Sequence, residues 1–252
     1  MTTAVQGTTV DIPTPDGTAD AYLAHPDDST SHPAVLFYMD AFGLRPHLKT
    51  MADRLASAGY TVLVPNVFYR YRRAPVVDLP EFIDPVRRPE IIRSIGPAAQ
   101  ALTPEAAMRD AGACLDWLAA SRLTTEGPAG VTGYCMGAGL ALRTAGTYPG
   151  RVAAAAGFHG AYLATDAPDS PHLLADRITA ELYFGHADQD STNPAEQIER
   201  LGRALVEAGV RHRSEVYARA QHGFTQADTS MHSTEATERH WAALLDLFSR
   251  TL

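Results

Sequence analysis

The sequence has little cysteine and no long hydrophobic run. Its 252 residues include only two cysteines, which is too few for a fold held together by disulfides. No apolar stretch reaches the roughly 20 residues that a membrane-spanning helix needs. Residues 1–10 lack the basic start and the apolar centre of a secretory signal peptide. We therefore expect a cytoplasmic protein with reduced thiols and no membrane contact.

Positive charge is also scarce. Lysine and arginine together number 21 against 29 aspartates and glutamates, so the formal net charge is -8. A surface with this excess of acid would not attract nucleic acid or an anionic membrane. The densest basic cluster, Arg70, Arg72 and Arg73, is too short for a binding patch. The composition therefore predicts no nucleic-acid partner.

The sequence lacks the common signatures of metal and nucleotide sites. Its ten histidines are scattered, and no two of them have the H-x-x-x-H spacing that places two ligands on one helical turn. There is no G-x-x-x-x-G-K-[ST] phosphate loop and no G-x-G-x-x-G segment after a predicted strand. We expect neither a catalytic metal nor a cofactor.

What the sequence does contain is a regular alternation of short apolar segments and segments with helical periodicity. After an N-terminal hairpin at residues 8–12 and 19–23, the predicted strands are 34–38, 60–64, 130–134, 152–158, 178–184 and 213–217. The predicted helices are 47–58, 103–120, 136–147, 194–208 and a last one from about residue 234. This alternation is typical of a mostly parallel central sheet with helices on both faces. We expect a single α/β domain spanning residues 1–252.

Two stretches interrupt this alternation. Residues 70–102 are long, rich in proline and without clear periodicity, and residues 164–175 are a shorter stretch of the same kind. Long loops in a compact domain are commonly lids or binding loops. We interpret both as covers of a site, and residues 70–102 as a lid or substrate-binding insertion.

One motif carries the chemistry. Gly133-Tyr134-Cys135-Met136-Gly137 has the form G-x-C-x-G between a predicted strand and a predicted helix, which is the nucleophile elbow with cysteine in place of serine. The bend exposes the sulfur beside the start of a helix. A cysteine here could instead be a small buried hydrophobic residue, but its place between strand and helix favours the nucleophile.

A thiol nucleophile needs a base, and the elbow architecture places an acid and then a histidine later in the chain. Asp188 comes just after a predicted strand, and His222 comes after the next one. His222 would take the thiol proton, while the acid would fix the imidazole tautomer. Asp190 competes with Asp188 for the acid role. We favour Asp188 because it lies closer to the predicted strand end.

At this point the chain resembles the dienelactone hydrolase family of α/β-hydrolases, also called carboxymethylenebutenolidase-like. The resemblance extends over nearly the whole chain. It rests on residues 133–137, 185–188 and 222–224, on Asp40-Ala41-Phe42-Gly43, on Gly59-Tyr60 with Pro65, and on the closing helix.

The resemblance implies a hydrolase of small esters or lactones. It assigns Cys135, Asp188 and His222 to the triad, and the backbone N–H groups of Met136 and Ala41 to the oxyanion hole. A thioester on the cysteine is the expected intermediate.

The chain departs from the family at a carboxylate. Asp40 stands where the family has a glutamate that helps to deprotonate the resting thiol. Because Asp40 is one methylene shorter, it could activate the thiol only from a closer loop. Alternatively, it could cap the helix that follows.

A second departure concerns the substrate. The family has an arginine shortly after the histidine that pairs with a substrate carboxylate, whereas this chain has Gln226 nearby and no arginine. The resemblance implies a second carboxylate-binding arginine in the lid, and the candidates there are Arg87, Arg88 and Arg93. A neutral ester, a lactone or a polyketide-like compound therefore fits at least as well as a dienelactone. The candidate pocket residues are Phe42, Tyr134, His159, Phe224, Gln226 and Arg93.

Several residues have a simpler structural interpretation. Cys114 lies on the apolar side of a predicted helix and is expected to pack in the core, and a disulfide between it and Cys135 would consume the nucleophile. His159 could be an interior histidine, and Tyr134 could be packing.

Three functions remain open from the sequence. The first is a thiol hydrolase acting on a small ester or lactone, as a monomer or a homodimer. The second is a lyase, isomerase or cyclase that uses the same base and oxyanion hole on a biosynthetic intermediate. The third is a non-catalytic binding protein, which an intact cysteine, acid and histidine set argues against.

Overall fold

The structure is a computed structural model that describes residues 4–252. The chain forms two compact units, the first ending at Gly130 and the second running from Val131 to Leu252. Residues 1–3 of the N-terminal stretch considered for a signal peptide lie outside the described residues. The assignment of residues 1–252 to a single domain stays a prediction.

The sheet of the first unit has the strand order β1-β2-β4-β3. Its members are β1 (Val5–Thr14), β2 (Gly17–Pro26), β3 (Ala34–Tyr38) and β4 (Thr61–Pro65). Strands β1 and β2 form the predicted antiparallel hairpin, β2 pairs antiparallel with β4, and β4 pairs parallel with β3. Every residue of β3 and β4 is buried, as their continuous apolar sequences predict.

Three helices belong to the first unit: α1 (Pro46–Ser57), α2 (Arg88–Gln100) and α3 (Pro104–Ala119). The expected N-cap is present at α3, where Thr103 Oγ1 accepts the Ala106 N–H at 3.2 Å. Soon after α1, the chain turns at Gly59 with φ +99°, a conformation that favours glycine.

Helix α2 is a difference from the sequence analysis, which treats residues 70–102 as irregular. The helix buries Ile91, Ile95 and Ala98 along one side and contains Pro97 in its last turns. Proline is unfavourable inside helices. The prolines of this stretch therefore predict an irregular segment, although its apolar residues have helical spacing. The lid role of this region stays a prediction.

The sheet of the second unit has the strand order β5-β6-β7-β8. Its members are β5 (Ala129–Tyr134), β6 (Val152–Phe158), β7 (Glu181–Gln189) and β8 (His212–Gln221). The β6–β7 and β7–β8 pairs are both parallel. The helices of this unit are α4 (Met136–Thr147), α5 (Ala195–Glu207) and α6 (Thr234–Thr251), with a 3₁₀ helix at Pro171–Arg177 in place of part of the second irregular stretch.

Strand β7 extends further than its apolar sequence predicts. Its parallel pairing with β8 continues through Ala187↔Tyr217 to Gln189↔Gln221, with an irregularity between Ala187 and Gln189. The strand therefore ends at Gln189 rather than near residue 184. The first aspartate beyond the end of β7 is therefore Asp190.

The carboxyl ends of three strands position the chemistry. Cys135 directly follows β5, Asp190 directly follows β7 and His222 directly follows β8. In sheets of this kind, functional side chains collect beyond these strand ends. Among residues 4–252, no helix is long and apolar enough to cross a membrane.

Candidate active site

The bend between β5 and α4 is built on a close approach that only glycine permits. A Cβ placed on Gly133 would lie 2.0 Å from the carbonyl oxygen of Gly137. The strand therefore passes directly against the first turn of the helix. Cys135 lies between these two glycines at the N-cap position of α4.

The backbone of Cys135 is left-handed, with φ 56° and ψ -118°. Such a conformation in a residue other than glycine costs about 1–3 kcal/mol and is found chiefly at functional sites. Hydrogen bonds hold it in place: the Cys135 N–H donates to the Phe158 carbonyl at 3.1 Å, and the Cys135 carbonyl accepts the Ala138 and Ala161 N–H groups at 3.2 Å. The thiol itself is half-buried.

His222 reaches the sulfur with one ring nitrogen and a carboxylate with the other. Its Nε2 lies 3.0 Å from Cys135 Sγ, and its Nδ1 lies 2.7 Å from Asp190 Oδ2. The histidine side chain is 16% exposed and that of Asp190 only 1%. A thiol, an imidazole and a buried carboxylate thus form one continuous hydrogen-bonded series.

The carboxylate next to His222 belongs to Asp190, and the structure does not bring Asp188, the favoured residue, to the imidazole. The Asp188 side chain is exposed and its Oδ2 accepts the backbone N–H of Arg219 at 3.0 Å. Asp188 lies inside β7, because the strand continues to Gln189. The residue that directly follows β7 is Asp190.

Thr192 is a member of the site that the sequence analysis does not predict. Its hydroxyl donates to Asp190 Oδ1 at 2.6 Å, its N–H donates to the same oxygen at 2.8 Å, and Oγ1 lies 3.2 Å from His222 Nδ1. An aspartate followed two residues later by a threonine is typical of an Asx-turn. This spacing is the feature of the sequence from which the contact between Thr192 and Asp190 could have been predicted.

The ionisation of the site follows from these contacts. Burial disfavours the charged imidazole, but the charge of Cys135 and the hydrogen bond to Asp190 outweigh it and raise the pKa of His222 to about 10. Burial likewise disfavours the charged form of Asp190, yet the hydrogen bond from His222 outweighs it and lowers the pKa of that carboxyl. The histidine and the aspartate therefore favour their charged forms.

Aromatic and polar side chains surround His222. The His159 ring lies 5.3 Å from the His222 ring in an edge-on arrangement, and its Nε2 is 2.8 Å from Thr225 Oγ1. Phe224 is fully buried and packs edge-on against His159 at 5.0 Å. His159 is itself completely buried, so it packs against the His222 ring from within the core.

Two other pocket candidates, Tyr134 and Gln226, make contacts within the protein. The Tyr134 hydroxyl lies 2.9 Å from His240 Nε2, and its ring stacks on Phe158. This is the packing interpretation considered for Tyr134. The buried Gln226 forms the turn after His222, with its N–H donating to the Gly223 carbonyl at 2.9 Å.

The remaining candidates belong to the first unit. Asp40 is buried and ion-paired, with Oδ1 2.8 Å from Arg45 Nη1 and accepting the Phe42 N–H at 2.8 Å. Helix α1 has Arg45 as its N-cap residue, and the Arg45 side chain makes no cap hydrogen bond. Ala41 lies in the turn after Asp40.

The arginines of residues 70–102 differ in their surroundings. Arg93 is on the exposed side of α2. Arg88 instead places its guanidinium over the Phe42 ring, 5.4 Å from the centroid, and its buried Nη1 has no hydrogen-bond partner among the described residues. Arg88 is therefore a better candidate than Arg93 for a polar contact with a ligand.

The second cysteine is inert. Cys114 is buried in α3, and burial raises the pKa of its thiol to about 12. Both cysteines are free. Among residues 4–252, no group of three or more histidine, cysteine, aspartate and glutamate side chains could hold a metal ion.

A cavity of about 360 Å³ lies elsewhere in the second unit, lined by β7, β8 and α6. It contains four arginines, and each has an acidic partner. Glu181 pairs with Arg211 and Arg250, while Glu215 pairs with Arg213 and Arg239. Four arginines share these two glutamates, so the lining keeps an excess of positive charge, and it contains no cysteine nucleophile.

The chain is similar to known proteins over nearly its whole length. The sequence model of the dienelactone hydrolase family matches residues 19–252. A carboxymethylenebutenolidase from Rhodococcus opacus is 27% identical over 92% of this chain and 86% of its own length.

Two solved structures share the fold. One, described as a candidate dienelactone hydrolase from Klebsiella pneumoniae, has a TM-score of 0.85 at 20% identity and covers 98% of this chain and 99% of its own. The other, a dienelactone hydrolase-like promiscuous phosphotriesterase from metagenomic libraries, has a TM-score of 0.77 at 22% identity with the same coverage. The chain belongs to the dienelactone hydrolase family and is a hydrolase of carboxylic esters or lactones.

Proposed function

We propose that Cys135, His222 and Asp190 form a catalytic triad that cleaves a small ester or lactone through a thioester on Cys135. The observation that carries the proposal is the 3.0 Å distance from Cys135 Sγ to His222 Nε2, at a bend of left-handed backbone. A nucleophile, a base and a group that orients the base are the parts that nucleophilic hydrolysis requires.

The first step is acylation of the thiol. The Cys135 thiolate attacks the carbonyl carbon, a C–S bond forms, and the C=O electron pair moves onto the oxygen. When the tetrahedral intermediate collapses, the C–O bond to the alcohol breaks and the alcohol oxygen takes the proton from His222 Nε2. In a lactone, the alcohol stays attached to the acyl group.

The second step is hydrolysis of the thioester. His222, now neutral, takes a proton from water while the water oxygen attacks the acyl carbon. The C–S bond then breaks, the carboxylic acid leaves and the thiolate is restored beside a protonated His222. Asp190 keeps the Nδ1–H pointing toward its own Oδ2 and stabilises each imidazolium state.

The oxyanion of each tetrahedral intermediate needs N–H donors. Met136 begins α4, and the first N–H groups of a helix have no intrahelical partner and lie at its positive end. The second donor, Ala41, and the thiol-activating carboxylate, Asp40, rest on the family resemblance. Substrate contacts at Phe42, His159, Gln226 and Arg93 are likewise predictions.

The test is a panel of small esters and lactones with the wild type and Cys135→Ala. We expect the variant to lose roughly 10³-fold or more in kcat, because the nucleophile is gone. Mass spectrometry of the quenched wild-type reaction should detect an acyl group on the peptide that contains Cys135. The matched control is Cys114→Ala, which removes a buried thiol from α3 and should keep turnover near the wild-type level.

Full turnover by Cys135→Ala would overturn the mechanism. Reaction in ¹⁸O-labelled water separates hydrolysis from the alternative lyase, isomerase or cyclase reactions. Hydrolysis places label in the product carboxylate, whereas those reactions leave it unlabelled.

A further inference from the structure

Thr192 lies in the short segment between β7 and α5, two residues after Asp190. Its hydroxyl and its N–H both donate to Asp190 Oδ1, at 2.6 and 2.8 Å. The other carboxylate oxygen, Oδ2, faces His222 Nδ1 at 2.7 Å. Thr192 thus donates both hydrogen bonds to Oδ1, the Asp190 oxygen that does not face His222.

This division of partners fixes the orientation of the carboxylate. The Asp190 side chain is 1% exposed, and a buried charge is tolerated only when its oxygens accept hydrogen bonds. With Oδ1 held by two donors, rotation about the terminal bond of Asp190 would break both bonds. Oδ2 therefore stays directed at the imidazole.

Thr192 also connects to the nucleophile through its backbone. Its carbonyl accepts the Tyr162 N–H at 3.0 Å, and the neighbouring Ala161 N–H donates to the Cys135 carbonyl at 3.2 Å. Tyr162 adopts φ 54°, an unfavourable conformation that persists only where the surroundings enforce it. The contacts run from Cys135 through Ala161–Tyr162, Thr192, Asp190 and His222 back to Cys135, so they form a closed ring.

We propose that Thr192 is a positioning residue of the triad. Its hydroxyl holds the Asp190 carboxylate in one orientation, and its carbonyl connects the segment after β7 to the bend that carries Cys135. The inference rests on the proposed function, since it assigns Thr192 a role in that same triad. Thr192 acts through Asp190 and His222, which its hydroxyl contacts directly.

The experiment compares Thr192→Val, Thr192→Ser and the wild type. Valine keeps the shape and the backbone contacts but lacks the hydroxyl, so we expect kcat to fall about tenfold with KM little changed, as for loss of a hydrogen bond to a charged group. Serine restores the hydroxyl and should retain most of the wild-type kcat. Thr144→Val, which removes the hydroxyl that donates to Leu140 O inside α4, is the matched control and should not change kcat.

The pH profile separates positioning from mere stability. The ionisable groups near Asp190 are His222, by hydrogen bond, and His186, by charge. The Thr192 hydroxyl helps to keep the pKa of Asp190 low, so its loss should move the acid limb of kcat/KM to higher pH. Alkylation of Cys135 by iodoacetamide should show the same shift.

Two results would overturn the inference: a Thr192→Val enzyme with wild-type kcat and pH profile, or a Thr192→Ser enzyme as impaired as the valine variant at equal thermal stability. Both leave the proposed function intact if Cys135→Ala is inactive. If the wild type cleaves no ester at all, the proposed function fails, and the alkylation profile still decides whether Thr192 controls the thiol and imidazole pair.

Discussion

The two aspartates at the end of β7 differ in burial and in partners. Asp190 is buried against His222, whereas Asp188 is exposed and bonds to the backbone of Arg219. Proximity in sequence therefore says little about which carboxylate can stabilise an imidazolium. The distinction gives a direct test with two isosteric substitutions.

Asp190→Asn should lower kcat by roughly 10²-fold or more, because an amide cannot stabilise the charged ring and can hold the wrong tautomer. Asp188→Asn changes an exposed side chain and should leave kcat within about twofold of the wild type. Steady-state kinetics on one ester measures both. The reverse order of the two effects would return the acid role to Asp188.

The bend between β5 and α4 depends on Gly133, because strand and helix backbone approach more closely there than a Cβ allows. Gly133→Ala should destabilise the protein by more than about 3 kcal/mol, since the overlap is with a backbone carbonyl that cannot move cheaply. The midpoint of urea unfolding is the measurement.

The matched control for that substitution is Gly202→Ala. Gly202 lies in α5 and has nothing within 4 Å of an added Cβ. Alanine there should stabilise the helix by about 0.5–1 kcal/mol. Equal midpoints for Gly133→Ala and the wild type would show that the bend tolerates a side chain.

Elements with strong local signals could be predicted from the sequence. Thr103-Pro104 marks the start of α3, and Gly59 follows the end of α1. The elbow could be predicted because glycine spacing around Cys135 reports a backbone constraint directly. These signals depend only on residues close in the chain.

Features that depend on distant pairing could not be predicted. The end of β7 is set by its register with β8, where Asp188 and Gln189 carry no hydrophobic pattern. The same uncertainty about the strand end favours Asp188 over Asp190 in the sequence, and it leaves Thr192 without a predicted role. The sequence does not predict helix α2 because Pro97 lies inside it, and proline is typical of irregular segments. Ile91 and Ile95 nevertheless have helical spacing.

The acid stability of the whole protein should depend on His186. This residue is buried, with Nε2 2.9 Å from Ser214 Oγ and Nδ1 3.1 Å from Asn193 Nδ2. Burial lowers the pKa of His186 from 6.5 to about 4. Between these values the unfolded chain binds more protons than the folded protein, so the free energy of unfolding falls as pH decreases from 6.5 to about 4.

His186→Gln should therefore flatten the acid side of the stability curve. The wild-type free energy of unfolding should fall by up to about 3 kcal/mol more than that of the variant across this window. Urea unfolding at several pH values measures the slopes. The control is the exposed His232→Gln, whose curve should parallel the wild type, and a parallel curve for His186→Gln would contradict the prediction.

The contrast between the two thiols has a practical consequence for the molecule as a whole. Cys114 is a buried residue of α3, and burial raises the pKa of its thiol to about 12. Cys135 is half-buried beside the imidazole of His222. A thiol reagent applied near neutral pH should consume one equivalent per folded chain. That stoichiometry would count competent molecules in any preparation, and rates could then be normalised to functional enzyme rather than to total protein.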